Sequence, residues 1–98
     1  MTHAVMLVKA TRGALPDLGG RLADIDGVAE AYSVTGEWDF VAILRVQRPG
    51  DLAQVVTERL AGLEGIERTY TMVAFEAYSQ HDLEAMFSIG EHAGGVNP

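Results

Sequence analysis

The chain carries an internal repeat. Leu22-Ala-Asp-Ile-Asp-Gly-Val-Ala-Glu-Ala-Tyr-Ser-Val34 aligns without gaps with Leu60-Ala-Gly-Leu-Glu-Gly-Ile-Glu-Arg-Thr-Tyr-Thr-Met72, at an offset of 38 residues. Leucine, alanine, glycine and tyrosine recur identically, and Ile25/Leu63, Asp26/Glu64, Val28/Ile66 and Ser33/Thr71 are chemically close. Each copy reads as the end of a helix, a glycine suited to a left-handed cap (Gly27, Gly65), and a β-branched residue opening a strand. Ala4-Val-Met precedes one helix and Ala42-Ile-Leu the other at the same offset, so the chain is strand-helix-strand, twice.

Helical periodicity supports that division. Leu15, Leu18, Leu22 and Ile25 share one face of the first helix, and Leu52, Val55, Val56, Leu60 and Leu63 one face of the second. Pro16 suits a first turn, Asp51 with Gln54 has capping-box spacing with Asp at the cap, and Gly19 and Gly20 weaken the first helix. Val5 to Ala10 and Trp38 to Val46 are nearly continuous apolar runs, whereas Val28 to Thr35 and Ile66 to Ala77 interleave polar residues. Continuous runs belong at the centre of a sheet. A βαββαβ chain with right-handed crossovers gives the strand order 4-1-3-2, which places those two runs inside. The expected fold is therefore α+β, a ferredoxin-like antiparallel sheet with helices on one face. The other face, apolar at its inner strands, calls for a second sheet, most simply in a homodimer forming an α+β barrel. We assign residues 1–80 to one ligand-binding domain and 81–98 to a short C-terminal helix (82–89, a packing lid in preference to an arm docking on a neighbour) and a mobile glycine-rich tail.

Charge narrows the function classes. Fourteen acidic and seven basic residues give a formal charge of −7, and residues 50–98 carry only two of the basic groups. No stretch concentrates Lys and Arg as a phosphate-tracking surface requires, so direct nucleic-acid binding is not expected. Without cysteine there are no disulfides or thiolate ligands. The apolar stretch Val5 to Val8 is far shorter than the ~20 residues of a membrane span, and no signal-peptide layout precedes it. A soluble cytoplasmic protein is the expectation. His3, His81 and His92 lack metal-ligand spacing, and Ser33, Ser79 and Ser88 have no evident base and orienting acid. There is no phosphate-binding glycine loop. No metal, cofactor or catalytic residue is expected.

The best candidate site is the turn Thr35-Gly36-Glu37-Trp38-Asp39, where a glycine, two carboxylates, a hydroxyl and the sole tryptophan converge. Gly36 allows close backbone approach, Asp39 or Glu37 matches an ammonium group, and free amides match a carboxylate. That combination suits a zwitterionic amino acid. The competing reading is a plain hairpin turn with Trp38 filling an interface. Thr69 and Thr71 share a strand face and offer hydroxyls, although threonine in a half-exposed strand normally reflects β-propensity.

The split βαβ repeat, Ile25-Asp-Gly-Val28, Leu63-Glu-Gly-Ile66, Val34-Thr-Gly-Glu-Trp-Asp-Phe-Val-Ala42 and Arg68-Thr-Tyr-Thr71 resemble the effector domain of Lrp/AsnC transcriptional regulators over residues 3 to 77. The resemblance implies dimerisation through the sheet, assembly into rings such as an octamer or decamer, and an amino acid or related small molecule bound between dimers near the Gly-x-x-Asp turn. It implies pocket roles for Gly36, Glu37, Trp38 and Asp39, with Thr35 beside them and Thr69 and Thr71 contributing. Members of that family begin with a winged helix-turn-helix. This chain opens at the first effector strand and reads as a stand-alone sensing module, able to modulate a full-length regulator by mixing subunits. The alternative is a small dimeric α+β barrel enzyme of the monooxygenase or isomerase type, against which stands the lack of a paired acid/base constellation. On this reading Asp39→Ala removes amino-acid binding and leaves the fold intact.

Overall fold

A computed structural model describes residues 1–78. The expected helix over 82–89 and the tail, with Ser79, His81, Ser88 and His92, lie outside the described residues. The elements run β1 (Thr2–Ala10), a 3₁₀ turn (Arg12–Ala14), α1 (Leu15–Ala23), β2 (Val28–Ser33), β3 (Phe40–Val46), α2 (Pro49–Gln54), a π-helical segment (Val55–Leu60) and β4 (Ile66–Val73). The antiparallel sheet has the order β2-β3-β1-β4, the ferredoxin-like arrangement, with the two apolar runs inside.

Alternation along the inner strands divides the two faces. Ala4, Met6, Val8 and Ala10 of β1 and Phe40, Ala42, Leu44 and Val46 of β3 are buried, and they meet Leu18 and Leu22 of α1, Leu52 of α2, and Val55 and Leu60 of the π-helical segment in one core. Their sequence neighbours Val5, Leu7, Val41 and Ile43 point to the opposite, uncovered face and are only half-buried.

Several boundaries differ from the sequence reading. Trp38 and Asp39 precede β3 and belong to the turn, and β4 ends at Val73 rather than Ala77. Asp51 is the third residue of α2, not its cap: Pro49, fixed in φ, starts the helix earlier, and the Asp51 carboxylate accepts from the Arg48 backbone N–H at 3.3 Å. The second helix is not uniformly α-helical, because its C-terminal half widens into the π-helical segment. Leu15 does not join the core. As the first residue of α1 it stands 44% exposed at the mouth of a surface cavity.

The repeat appears as reciprocal docking. Gly27 and Gly65 both hold positive φ, 101° and 96°. A Cβ on Gly27 would stand 2.5 Å from Val55 Cγ2, in the second repeat, and one on Gly65 would stand 2.4 Å from Ala14 Cβ, in the first. Arg59 Nη1 likewise donates to the Asp26 carbonyl at 2.7 Å, while its repeat counterpart Arg21 lies beside Gly65. Each helix thus closes onto the corner of the other unit.

Because both the left-handed backbone and the close contact would oppose a side chain, Gly27→Ala and Gly65→Ala should each destabilise by roughly 2–4 kcal/mol. Gly50→Ala, with open space around the added methyl, should stay within about 0.5 kcal/mol of the parent. Denaturant unfolding midpoints at constant slope measure all three.

Candidate functional site

The β2–β3 turn is folded back against the end of β1 and held there by Asp39. The Asp39 backbone N–H donates to the Val8 carbonyl at 2.9 Å, its carbonyl accepts from Val34 N–H at 3.0 Å, and its carboxylate accepts the Ala10 N–H at 2.8 Å. Lys9 adds a second tie: its Nζ donates to the Glu37 carbonyl at 2.8 Å and lies 3.9 Å from the Asp39 carboxylate. Gly36 carries the chain through the bend with φ 103°.

Arg68 of β4 completes the cluster. Lys9 and Arg68 are direct register partners on β1 and β4, so their side chains leave the same face of the sheet. Arg68 Nη2 pairs with Glu37 at 3.2 Å, and its guanidinium carbon sits 5.0 Å from the centroid of the Trp38 ring, a cation–π geometry. Trp38 and Asp39 are half-buried in this arrangement, while Thr35, Gly36 and Glu37 remain exposed. The two turn carboxylates therefore have intramolecular cationic partners, Arg68 for Glu37 and Lys9 for Asp39. Neither is an unengaged acid waiting for an ammonium group.

The two threonines lie elsewhere. Thr69 pairs with Val8 and Thr71 with Met6, both buried beneath the helices, so the threonines share the helix-covered face, opposite to that of Arg68. Thr69 lines a small, mainly apolar cavity with Met6, Val56, Leu60 and Leu63. The fold thus joins Gly36, Glu37, Trp38 and Asp39 to one another but does not bring Thr69 or Thr71 to them. Sequence reasoning missed Lys9, Arg68 and the Ala10 amide. Their signal was a lone lysine ending an apolar strand and an arginine at the repeat's strand, which become neighbours only through β1–β4 register.

A surface cavity opens beside this turn, lined by Lys9, Ala10, Thr11, Arg12, Leu15, Asp39 and Glu67. Among the described residues no cluster of His, Asp or Glu has the arrangement of a metal site, and no helix is long and apolar enough to cross a membrane.

Comparison with known proteins fixes the family. Residues 3–83 match the model of the Lrp/AsnC ligand binding domain. This chain belongs to that family. The Lrp/AsnC match has a structural counterpart in a crystal structure from Thermus thermophilus, 41% identical, with a TM-score of 0.75 over 82% of this chain and 100% of that one. An HTH-type transcriptional regulator of Pyrococcus furiosus is 34% identical over 59 residues, which make up 60% of this chain and 39% of the regulator. The chain therefore spans well under half the length of that regulator. A transcriptional regulator of Neisseria meningitidis, solved as a complex with L-Met, shares the fold, with a TM-score of 0.71 at 15% identity over 81% of this chain and 53% of that one.

Asp39 is a fastener of the turn, so its removal affects more than ligand contact. Asp39→Ala leaves the Ala10 amide unpaired and should lower unfolding stability by about 1–3 kcal/mol. Glu37→Ala, breaking only an exposed pair, should change it by less than about 1 kcal/mol. Parallel denaturant titrations read the difference.

Proposed function

We propose that this chain is a regulatory module that senses an amino acid or a related small molecule and assembles with copies of itself. The observation that carries this reading is the match of residues 3–83 to a ligand-binding domain. The turn supports it. Asp39, Lys9 and Arg68 hold Gly36, Glu37 and Trp38 in a fixed pose at the border of the sheet, and a preorganised rim lowers the ordering cost of binding. The presence of L-Met in the Neisseria regulator supports the amino-acid class. On this reading Thr35, Gly36, Glu37, Trp38 and Asp39 contact the ligand, while Thr69 and Thr71, on the opposite face of the sheet, stand apart from it.

Self-assembly follows from the uncovered sheet face. Val5, Leu7, Val41 and Ile43 form its centre, flanked by exposed Tyr32, Tyr70 and Met72. Charged residues rim it: Arg45 pairs with Glu30 at 3.2 Å. The Tyr32 hydroxyl donates to the same Glu30 carboxylate, which pushes the phenol above its ordinary pKa through that hydrogen bond and its charge. An apolar centre with a satisfied polar rim is the anatomy of a protein interface. A second copy places an identical apolar face against it, giving the homodimer, and dimers joined further give octamers or decamers. The same face fits the corresponding sheet of a full-length Lrp/AsnC regulator. The formal charge of −7 argues against direct contact with nucleic acid, and a cytoplasmic location fits relatives that are transcriptional regulators. The enzyme alternative gains no support from the helix-side cavity, whose residues Met6, Val56, Leu60, Ala61, Leu63, Ile66, Arg68 and Thr69 include no carboxylate or imidazole to move a proton.

A thermal-shift screen of the twenty amino acids, with light scattering on the same samples, tests the sensing role. A selective rise in melting temperature is expected, because a ligand bound only by the native state stabilises it; no shift with any of them would refute amino-acid sensing. Separately, Leu7→Asp together with Ile43→Asp should yield a folded monomer by analytical ultracentrifugation, and an unaltered oligomer would place the interface elsewhere.

A further inference from the structure

One lysine stands among the seven basic residues of this chain; the other six are arginines. Of the five ion pairs among the described residues, four use arginine and the fifth joins Lys9 to Asp39 at 3.9 Å. The difference is chemical. A guanidinium stays protonated in proteins, whereas an ammonium group that gives up a proton becomes a nucleophilic amine. The one side-chain charge that this chain can lose by acylation therefore sits at the fastening of the β2–β3 turn.

The surroundings of Lys9 admit a reagent. Its side chain is 31% exposed, and it borders the cavity at the β1–α1 corner, about 360 Å³ in volume. Leu15, exposed at the start of α1, offers apolar wall for an acyl chain. Arg12, with no ion-pair partner among the described residues, offers a cation to an anionic leaving group. Glu67 reaches the rim as the extra residue of a β-bulge, where the register passes from Lys9↔Arg68 to Ala10↔Ile66. Two cations and two carboxylates thus share the rim, and loss of the charge on Lys9 leaves it net negative.

The internal repeat shows that a neutral side chain is compatible with the fold at this position. Gln47 is the counterpart of Lys9 at the offset of 38 residues, and it borders the corresponding cavity at the β3–α2 corner. Packing does not call for a lysine here. The turn does, because the Lys9 ammonium donates to the Glu37 carbonyl at 2.8 Å.

We propose that Lys9 is an acyl-acceptor site for an activated acyl group, an acyl phosphate or an acyl thioester, and that its modification unfastens the turn. The ammonium group gives one proton to water, and the amine forms a bond to the acyl carbon. The bond from that carbon to phosphate oxygen or to sulfur breaks with its electron pair, and the surplus proton on nitrogen passes to the departing group or to water. The product is a neutral amide. Asp39 is left without its cationic partner and the Glu37 carbonyl without a charged donor, so the side-chain hydrogen bonds remaining to the turn are those of Asp39 with the Ala10 amide and of Glu37 with Arg68. Regulation of ligand binding by this route rests on the sensing role proposed above; the reaction and the release of the turn do not.

The full chain is incubated separately with acetyl phosphate and with acetyl-coenzyme A, digested with trypsin and read by mass spectrometry. Acetylation of Lys9 blocks cleavage after it, so the peptide Met1–Lys9 should give way to an acetylated Met1–Arg12, with fragment ions separating Lys9 from the Met1 α-amino group. Reaction with one donor alone would support the site and name the source of the acyl group. Trp38, the sole tryptophan, reports on the turn. Its emission should shift to the red in the acetylated chain and in Lys9→Gln, and should not change when Lys9→Arg receives the same treatment. All three should keep the parent circular dichroism. Acetylation confined to Met1 with both donors, or acetylation of Lys9 with unaltered Trp38 emission, would overturn the proposal and leave amino-acid sensing untouched.

Discussion

Two glycines hold the architecture together. Gly27 and Gly65 turn each helix into its following strand through a left-handed conformation, and each does so pressed against the helical layer of the other unit. Packed corner to helix, the two strand-helix-strand units bury Met6, Leu18, Leu22, Leu44 and Val55 almost completely. The sheet order is the consequence. With the helices locked crosswise on one side, β1 and β3 lie together at the centre and β2 and β4 take the edges.

That packing leaves one sheet face open and concentrates polar structure at the sheet's ends. At one end the β2–β3 turn is fastened to β1 by a carboxylate that accepts a strand amide and by a lysine that reaches the turn backbone. The Arg68 guanidinium over Trp38 ties the same turn to the edge strand β4. All four strands therefore meet at one turn, and its geometry is set by the sheet's register rather than by local preference. Preorganisation of this kind suits a binding rim, and it explains why Asp39 and Glu37 carry structural duties in addition to any ligand contact.

The two halves of the repeat show how similar backbones acquire different chemistry. Both have a bulge at the same place and a cavity at the strand-to-helix corner. At the β3–α2 corner neighbouring charges neutralise one another; at the β1–α1 corner Glu67 stands where the repeat has Ala29, and Arg12 enters from the 3₁₀ turn. Divergence is confined to side chains at the rim, while the glycines and the apolar faces that sustain packing are retained.

Most of the fold was legible in the sequence. The repeat, the helical stripes and the contrast between continuous and interleaved strands together specify two βαβ units and their order, because periodicity reports directly which side of an element is buried. The candidate turn was legible as a concentration of unusual residues, and the family resemblance rested on the same segments. Tertiary structure decided the rest. Lys9 and Arg68 become neighbours of Glu37, Trp38 and Asp39 only through pairing between strands far apart in the chain, and a strand's two faces are assigned only when its partner's register is known. That register sent Thr69 and Thr71 to the helix side and Arg68 to the other, and it turned Glu67 into a bulge beside the cavity. Charges along a sequence have no partners until the fold brings them within a few ångströms, so patterning fixed the layers of this protein and pairing across the sheet fixed its chemistry.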